Sequence, residues 1–305
     1  MKDALTRRGL LTGVAAATAL LALRGKARAE AIADQVTLLH TNDTHSRLEP
    51  FEKGSLAGLG GIARRAAMIR KIRAAQPNTL VLDAGDTFQG TPYFNAFAGQ
   101  AEFETMTAAG YDFSTLGNHD FDKGVDGLVA AMQYAKFDFV NANYDIDPPG
   151  LRARVKPYAV RVVGGRRIGL FGLGVSFKNL VASSYHAGIR YLDPVKASQA
   201  MVQKLRQDEG VDAVVLISHL GYYGHEEEPG DPELAQAVPG IDIIIGGHTH
   251  TFMAKPHVVS RPDGTATYIT QVGFAGTHLG QIDLLFPATG GVHVTTTVHA
   301  VSAAA

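Results

Sequence analysis

Short apolar runs recur along the chain between residues 36 and 250, and most break off abruptly into a few polar residues. The runs are "VTLLH" (36–40), "TLVLDAGD" (79–86), "FSTLGNHD" (113–120), "FDFVNANY" (137–144), "RIGLFGLG" (167–174), "DAVVLISHLG" (212–221) and "IDIIIGGHTH" (241–250). They are mostly continuous rather than alternating, the pattern of strands covered on both faces. Helical segments lie between them. "GIARRAAMIRKIRAAQ" (61–76) places Ile62, Ala66, Ile69 and Ile72 at helical spacing. "DPVKASQAMVQKLRQDEG" (193–210) opens on Asp193 as N-cap with Pro194 in the first turn, and stops at Gly210. "DPELAQAVPG" (231–240) repeats the Asp-Pro start. Strands alternating with helices predict an α/β layered fold. The tail, 266–287 and 291–301, reads as consecutive strands that complete a second sheet.

The first thirty residues stand apart. Arg7 and Arg8 precede an uncharged apolar run from Gly9 to Leu23, and Ala27-Arg28-Ala29 fits an A-x-A cleavage site. The expectation is a twin-arginine signal peptide over 1–29, periplasmic export, and one mature domain over 30–305. The apolar run is shorter than the ~20 residues that span a bilayer, so no stable membrane anchor is expected after cleavage. There is no cysteine, which rules out disulfides and thiolate metal ligands. A formal charge of -1 without blocks of like charge argues against a nucleic acid polymer as partner.

The polar residues that end the runs share one chemistry. "LLH" leads to Asp43 and His45, "LVLDAG" to Asp86, "STLG" to Asn118 and His119, "VVLIS" to His219, and "IIIGG" to His248 and His250. In an open parallel sheet the carboxyl ends of the strands line one edge, where ligands bind. Each fragment alone is a common turn; the ordered series D-x-H, G-D, G-N-H, S-H, G-H-x-H is far more specific.

That series resembles the calcineurin-like metallophosphoesterases, and within them the catalytic domain of bacterial periplasmic 5′-nucleotidases. The motifs that carry the resemblance are "LLHTNDTH", "DAGDTFQGTPYF", "LGNHDFD", "ISHLGYYG" and "IIGGHTH", spread from about residue 35 to about 290. It implies a four-layer, two-sheet α/β sandwich with flanking helices and a two-metal site. Asp43, His45, Asp86 and His250 would hold one divalent ion; Asp86, Asn118, His219 and His248 would hold the other, with Asp86 bridging. Oxygen and imidazole donors without sulfur suit Mn, Fe, Co or Zn. The resemblance further implies direct hydrolysis of small phosphate monoesters, nucleotides among them, by a metal-bridging hydroxide. His119 would be the acid and Asp122 its partner, because the family pattern N-H-x-F-D passes over the adjacent Asp120.

The relatives carry a second, C-terminal nucleoside-gripping domain that is not read in this sequence, so a separate substrate-binding chain is one expected partner. Cyclic-nucleotide diesterase, sulfur-ester hydrolase and non-catalytic metal-dependent binding subunit stand as alternatives. Tyr93, Tyr222, Tyr223, Asn141 and Asn143 are candidate substrate contacts, each with packing or turn-making as the other reading. His40 reads as a packed histidine.

Overall fold

The computed structural model describes residues 35–287 and 290–303; the expected leader lies outside the described residues. The first part of the chain runs β1 (Gln35–Thr41), α1 (Ile62–Ala75), β2 (Thr79–Asp83), α2 (Pro92–Phe97), α3 (Gln100–Ala109), β3 (Phe113–Ser114), α4 (Gly124–Met132) and β4 (Asp138–Val140). There follow β5 (Tyr144–Ile146), α5 (Pro149–Arg152), β6 (Val155–Lys156), β7 (Tyr158–Val163), β8 (Arg166–Gly174), β9 (Ile189–Tyr191) and α6 (Pro194–Gln203). The last part is β10 (Ala213–His219), α7 (Asp231–Ala237), β11 (Ile243–Ile245), β12 (His257–Ser260), β13 (Ala266–Thr270), β14 (His278–Leu285) and β15 (His293–Ala300).

Two sheets carry the architecture. One has the order β15-β14-β1-β2-β3-β4-β6, the other β12-β13-β11-β10-β8-β7. Strands β1, β2, β3, β4 and β6 are mutually parallel, as are β8, β10, β11 and β13; β14, β15, β12 and β7 are antiparallel additions. Side-chain alternation sorts the apolar runs into three cores. Leu38, Leu80 and Leu82 of the first sheet meet Val215, Ile217, Ile243 and Ile245 of the second between the sheets. Leu39 and Val81 face the other way, onto Ile69, Phe103, Met106 and Leu128 of α1, α3 and α4. Val214, Leu216 and Ile244 pack under Leu234 of α7 and Leu205, just after α6. The result is helix, sheet, sheet, helix. Each aliphatic side chain so buried contributes ~1.5–3 kcal/mol. Among the described residues no helix is long and apolar enough to cross a membrane.

Several expectations need correction. The tail divides: β13 joins the second sheet beside β11, but β14 and β15 extend the first sheet from β1. Helices α2, α3 and α4 were not anticipated. Gly99, at a left-handed φ of 97°, interrupts the apolar periodicity between α2 and α3. The run 113–120 contributes only Phe113–Ser114 to the ladder, because the backbone beyond it turns to bond Asp120. Asp193 caps α6 as expected, accepting from Val195 and Lys196 amides at 2.9 and 3.1 Å. Asp231 does not cap α7. Gly230 stands at that position, and the Asp231 carboxylate accepts from Ser218 Oγ at 2.5 Å instead.

Candidate metal centre

The loops after β1, β2, β3, β10 and β11 meet at one end of the paired sheets. Successive backbone bonds lash the first two together: Asp43 N to Gly85 O at 2.9 Å, His45 N to Asp86 O at 3.0 Å, and Ser46 N to Thr87 O at 2.7 Å. The loops are held in an unusual backbone. Asp43 (φ 48°), His45 (45°), Asp86 (53°), His248 (67°) and His250 (52°) all lie in the left-handed region without being glycine. Such residues cost of order 1–3 kcal/mol each and persist where surrounding structure fixes them, typically at functional sites. Gly117 shows how tight the centre is. A Cβ there would overlap the Asp86 carboxylate and lie 2.7 Å from His219 Cε1.

The structure gathers the candidate ligands into two groups, Asp43 with His45 and His250, and Asp86 with His219 and His248. Within the first, His45 and His250 present Nε2 to each other at 3.0 Å, and His250 Nε2 lies 3.5 Å from Asp43 Oδ1. Within the second, His219 Nε2 lies 3.2 Å from Asp86 Oδ2. Asp86 Oδ2 also lies 3.9 Å from His45 Nε2, so this one carboxylate adjoins both groups. Asn118 is buried beside them, and its Oδ1 accepts no hydrogen bond from any described residue.

These donors fit divalent cations. His45 Nδ1 is 3.1 Å from Phe88 O, and His219 Nδ1 is 2.6 Å from Ala84 O. A ring that donates Nδ1–H to a carbonyl turns its Nε2 lone pair the other way, the usual arrangement of a ligating histidine. Two facing imidazole nitrogens, an orphaned amide oxygen and two buried carboxylates together need a positive charge between them. Burial lowers the His248 pKa to about 4, which keeps that ring neutral. For the second pair, burial opposes charge, but the mutual attraction of Asp86 and His219 overrides it. It raises the His219 pKa to about 10 and holds Asp86 well below the ordinary carboxylate range. A proton and a cation therefore compete for the same Nε2.

His119 stands beside the groups, with its backbone amide on Asp86 Oδ1 at 2.8 Å. Its Nδ1 lies 3.1 Å from Asp122 Oδ2, and that hydrogen bond is the first cause of a raised His119 pKa. Asp120 does something different. Its carboxylate collects four backbone amides: Gly117 at 2.8 Å, Thr87 at 3.0 Å, Asp86 at 3.2 Å and Phe88 at 3.4 Å. Burial and then Asp86 push its pKa up to about 7. The amide donors oppose that shift, and we read a carboxylate, since a protonated oxygen would face an N–H.

Sequence reasoning missed that organising role, and also a second buried acid. Glu102 accepts from Ser46 Oγ, next to His45, while Ser46 Oγ also bonds Thr91 Oγ1 at 2.8 Å. The signal was a lone carboxylate in helical register with Met106 and Ala109. The cleft over the donors, about 450 Å³, is walled by Arg47, Phe51, Leu180 and Phe274, and the candidate tyrosines take their packing or rim reading instead. Phe274 stacks on His250 with ring centroids 5.0 Å apart. Tyr222 bonds His257 at 2.8 Å, Tyr93 bonds Glu49 at 3.0 Å, and Tyr223 is 69% exposed. Asn141 and Asn143 make turns instead of facing the cleft: Asn141 Oδ1 accepts from the Asn143 and Tyr144 amides, and Asn143 clasps Gly174. His40 is fully buried, as a packed histidine should be.

Two opposed sheets that pool carboxylate, amide and imidazole donors at one shared end define a metallophosphoesterase fold. Comparison with known proteins agrees with that class. Residues 36–252 match the calcineurin-like phosphoesterase family, and the chain belongs to it. It is 34% identical to the 5′-nucleotidase of Homo sapiens, over 91% of this chain and 51% of that protein. It is 33% identical to the snake venom 5′-nucleotidase of Gloydius brevicauda, over 85% of this chain and 46% of that protein. Among solved structures, the 5′-nucleotidase precursor from Thermus thermophilus superposes with a TM-score of 0.79 at 35% identity, covering 88% of this chain and 55% of that one. The chain thus spans about half the length of the curated relatives it matches.

Proposed function

We propose that the protein is an exported phosphatase that hydrolyses phosphate monoesters, 5′-nucleotides among them, with two divalent cations. The observation that carries this reading is Asp86, one carboxylate adjoining two separate donor groups. Asp43, His45, Asp86 and His250 would hold one cation, and Asp86, Asn118, His219 and His248 the other. Such a pair supplies Lewis acidity to a phosphoryl group and lowers the pKa of bound water from ~15.7 towards ~7. The chain's own residues do the rest. The charged donors and the closed loop network fix where the phosphoryl group sits. Asp122 accepts the hydrogen bond from Nδ1–H of His119, which leaves Nε2 to protonate the leaving oxygen. Water oxygen joins phosphorus and releases one proton to solvent, the ester P–O bond breaks, the His119 proton passes to the departing alkoxide, and an alcohol and hydrogen phosphate result. Export rests on Arg7, Arg8 and the apolar run that follows them.

The test is metal analysis of natively produced protein, then a panel of nucleoside, sugar and aryl monophosphates with a cyclic diester and a sulfur ester. Bound metal with monoester turnover is expected. Turnover of the diester or sulfur ester alone would replace the monoester reading, and metal binding without any turnover would favour a binding subunit.

A further inference from the structure

The cleft over the donor groups also contains a cation that the protein itself leaves unspent. Arg47 is half-buried two residues beyond His45 and lines the same cleft as Asn118, His119 and His250. Its guanidinium carbon lies 4.0 Å above the Phe51 ring. The Arg47 backbone amide bonds Thr44 O, but among the described residues no oxygen accepts a hydrogen bond from its guanidinium. The neighbouring acid, Glu49, is engaged by Tyr93. Other arginines in the fold are used internally: Arg206 pairs with Asp242, and Arg154 donates to Met132 O. Stacking fixes the plane of a guanidinium and leaves its forked edge of donors free for a planar or tetrahedral anion.

Position adds a second argument. Arg47 and Thr91 also line an adjoining cavity of about 410 Å³ with Glu49, Tyr93 and Phe97, so Arg47 stands on the border between the metal cleft and that groove. Two divalent cations, less the charge of the Asp43 and Asp86 carboxylates, would balance one phosphoryl dianion. A fixed cation at the border is surplus to a simple monoester and matches a second anionic group on the same substrate.

We propose that Arg47, seated on Phe51, is a specificity-determining residue that binds a second phosphate of the substrate, so that the site favours compounds carrying two phosphate groups. This rests on the phosphoesterase reading above. The test is calorimetric binding of methylenediphosphonate and methylphosphonate, neither hydrolysable, to the manganese-loaded protein at buffered free metal. The wild type should bind the diphosphonate more tightly, and Arg47→Gln should lower that affinity ratio by roughly 10-fold or more, the scale of a lost charge-assisted hydrogen bond. Arg47→Lys, which keeps charge without the fork, should restore part of it. A ratio unchanged in Arg47→Gln would overturn the assignment, whether both affinities fall together or neither moves. Steady-state kcat/KM for a sugar bisphosphate against its monophosphate separates the two readings. Discriminating binding without turnover of either ester would refute the phosphatase and leave the role of Arg47 standing.

Discussion

Replacing Asp120 by asparagine tests how the centre is built. Asp120 Oδ2 accepts from the Gly117 and Asp86 amides, and Oδ1 from the Thr87 and Phe88 amides. Asparagine is nearly the same shape but has one oxygen. Whichever way its amide turns, an NH2 group faces two backbone N–H donors in a buried site. Each unsatisfied donor costs ~1–3 kcal/mol, so the pair costs about 2–6 kcal/mol. That is a large part of the ~5–15 kcal/mol that holds an ordinary domain together. The loss is also local, because the orphaned amides include that of Asp86 itself. Urea unfolding at neutral pH should show the destabilisation, and metal analysis should show weakened retention. Were Asp120 protonated in the native protein, its hydroxyl would already face N–H groups and asparagine would be an even exchange. Stability within about 0.5 kcal/mol of wild type, with full metal content, would therefore refute the carboxylate collar.

Other consequences can be checked alongside it. His119→Ala should retain metal yet lose roughly 10²–10⁴-fold in kcat on alkyl esters, and less on aryl esters, whose leaving groups need little protonation; equal losses would place His119 on the phosphoryl oxygens instead. Asp86→Asn should deplete metal from both groups by elemental analysis, and a full complement would show that Asp86 is not shared. Burial holds the His40 imidazole at about 3 against an ordinary 6.5. The unfolded chain thus takes up a proton below ~6.5 that the folded chain refuses, and stability falls with pH towards ~3 by up to roughly 1.4 kcal/mol per unit. The difference in unfolding free energy between wild type and His40→Leu, followed from pH 7 to 4, should change with that slope, and parallel curves would refute it.

The candidate metal donors were legible because they sit at the end of a buried strand or just beyond it. An apolar run that stops on Asp43, Asp86 or His219 states both the end of the strand and the chemistry placed there. Neighbours in space rather than in sequence were illegible. Residues 293–300 alternate between exposed and half-buried, which identifies a strand such as β15 but not the sheet it joins. The partner of β14 is β1, at the far end of the described chain. The aromatic residues that wall the cleft were not legible for a related reason. Phe51 and Phe274 sit in loops whose course depends on bonds such as Ala275 N to Asp43 O at 2.7 Å. Tyr222 and Tyr223 lay beside a motif residue in sequence but point elsewhere in the fold. Motif spacing pointed to Asp122 rather than Asp120 as the neighbour of His119, but residue type alone could not show that Asp120 gathers backbone amides; that follows from the positions of the surrounding N–H groups.

The pairing of β1 with β14 sets an order of events during synthesis. Gln35 lies opposite Leu285, and His40 opposite Gly280, so the first described strand emerges from a ribosome long before the strand that covers its edge. Until then its N–H and C=O groups offer an open template to other chains. Asp43 and His45 wait at the tip of that uncovered strand, and His248 and His250 have yet to be made. A cation arriving early meets scattered carboxylates and imidazoles that would bind it singly and weakly. If the chain binds metal as proposed, the cations available where it finishes folding would decide which one it carries.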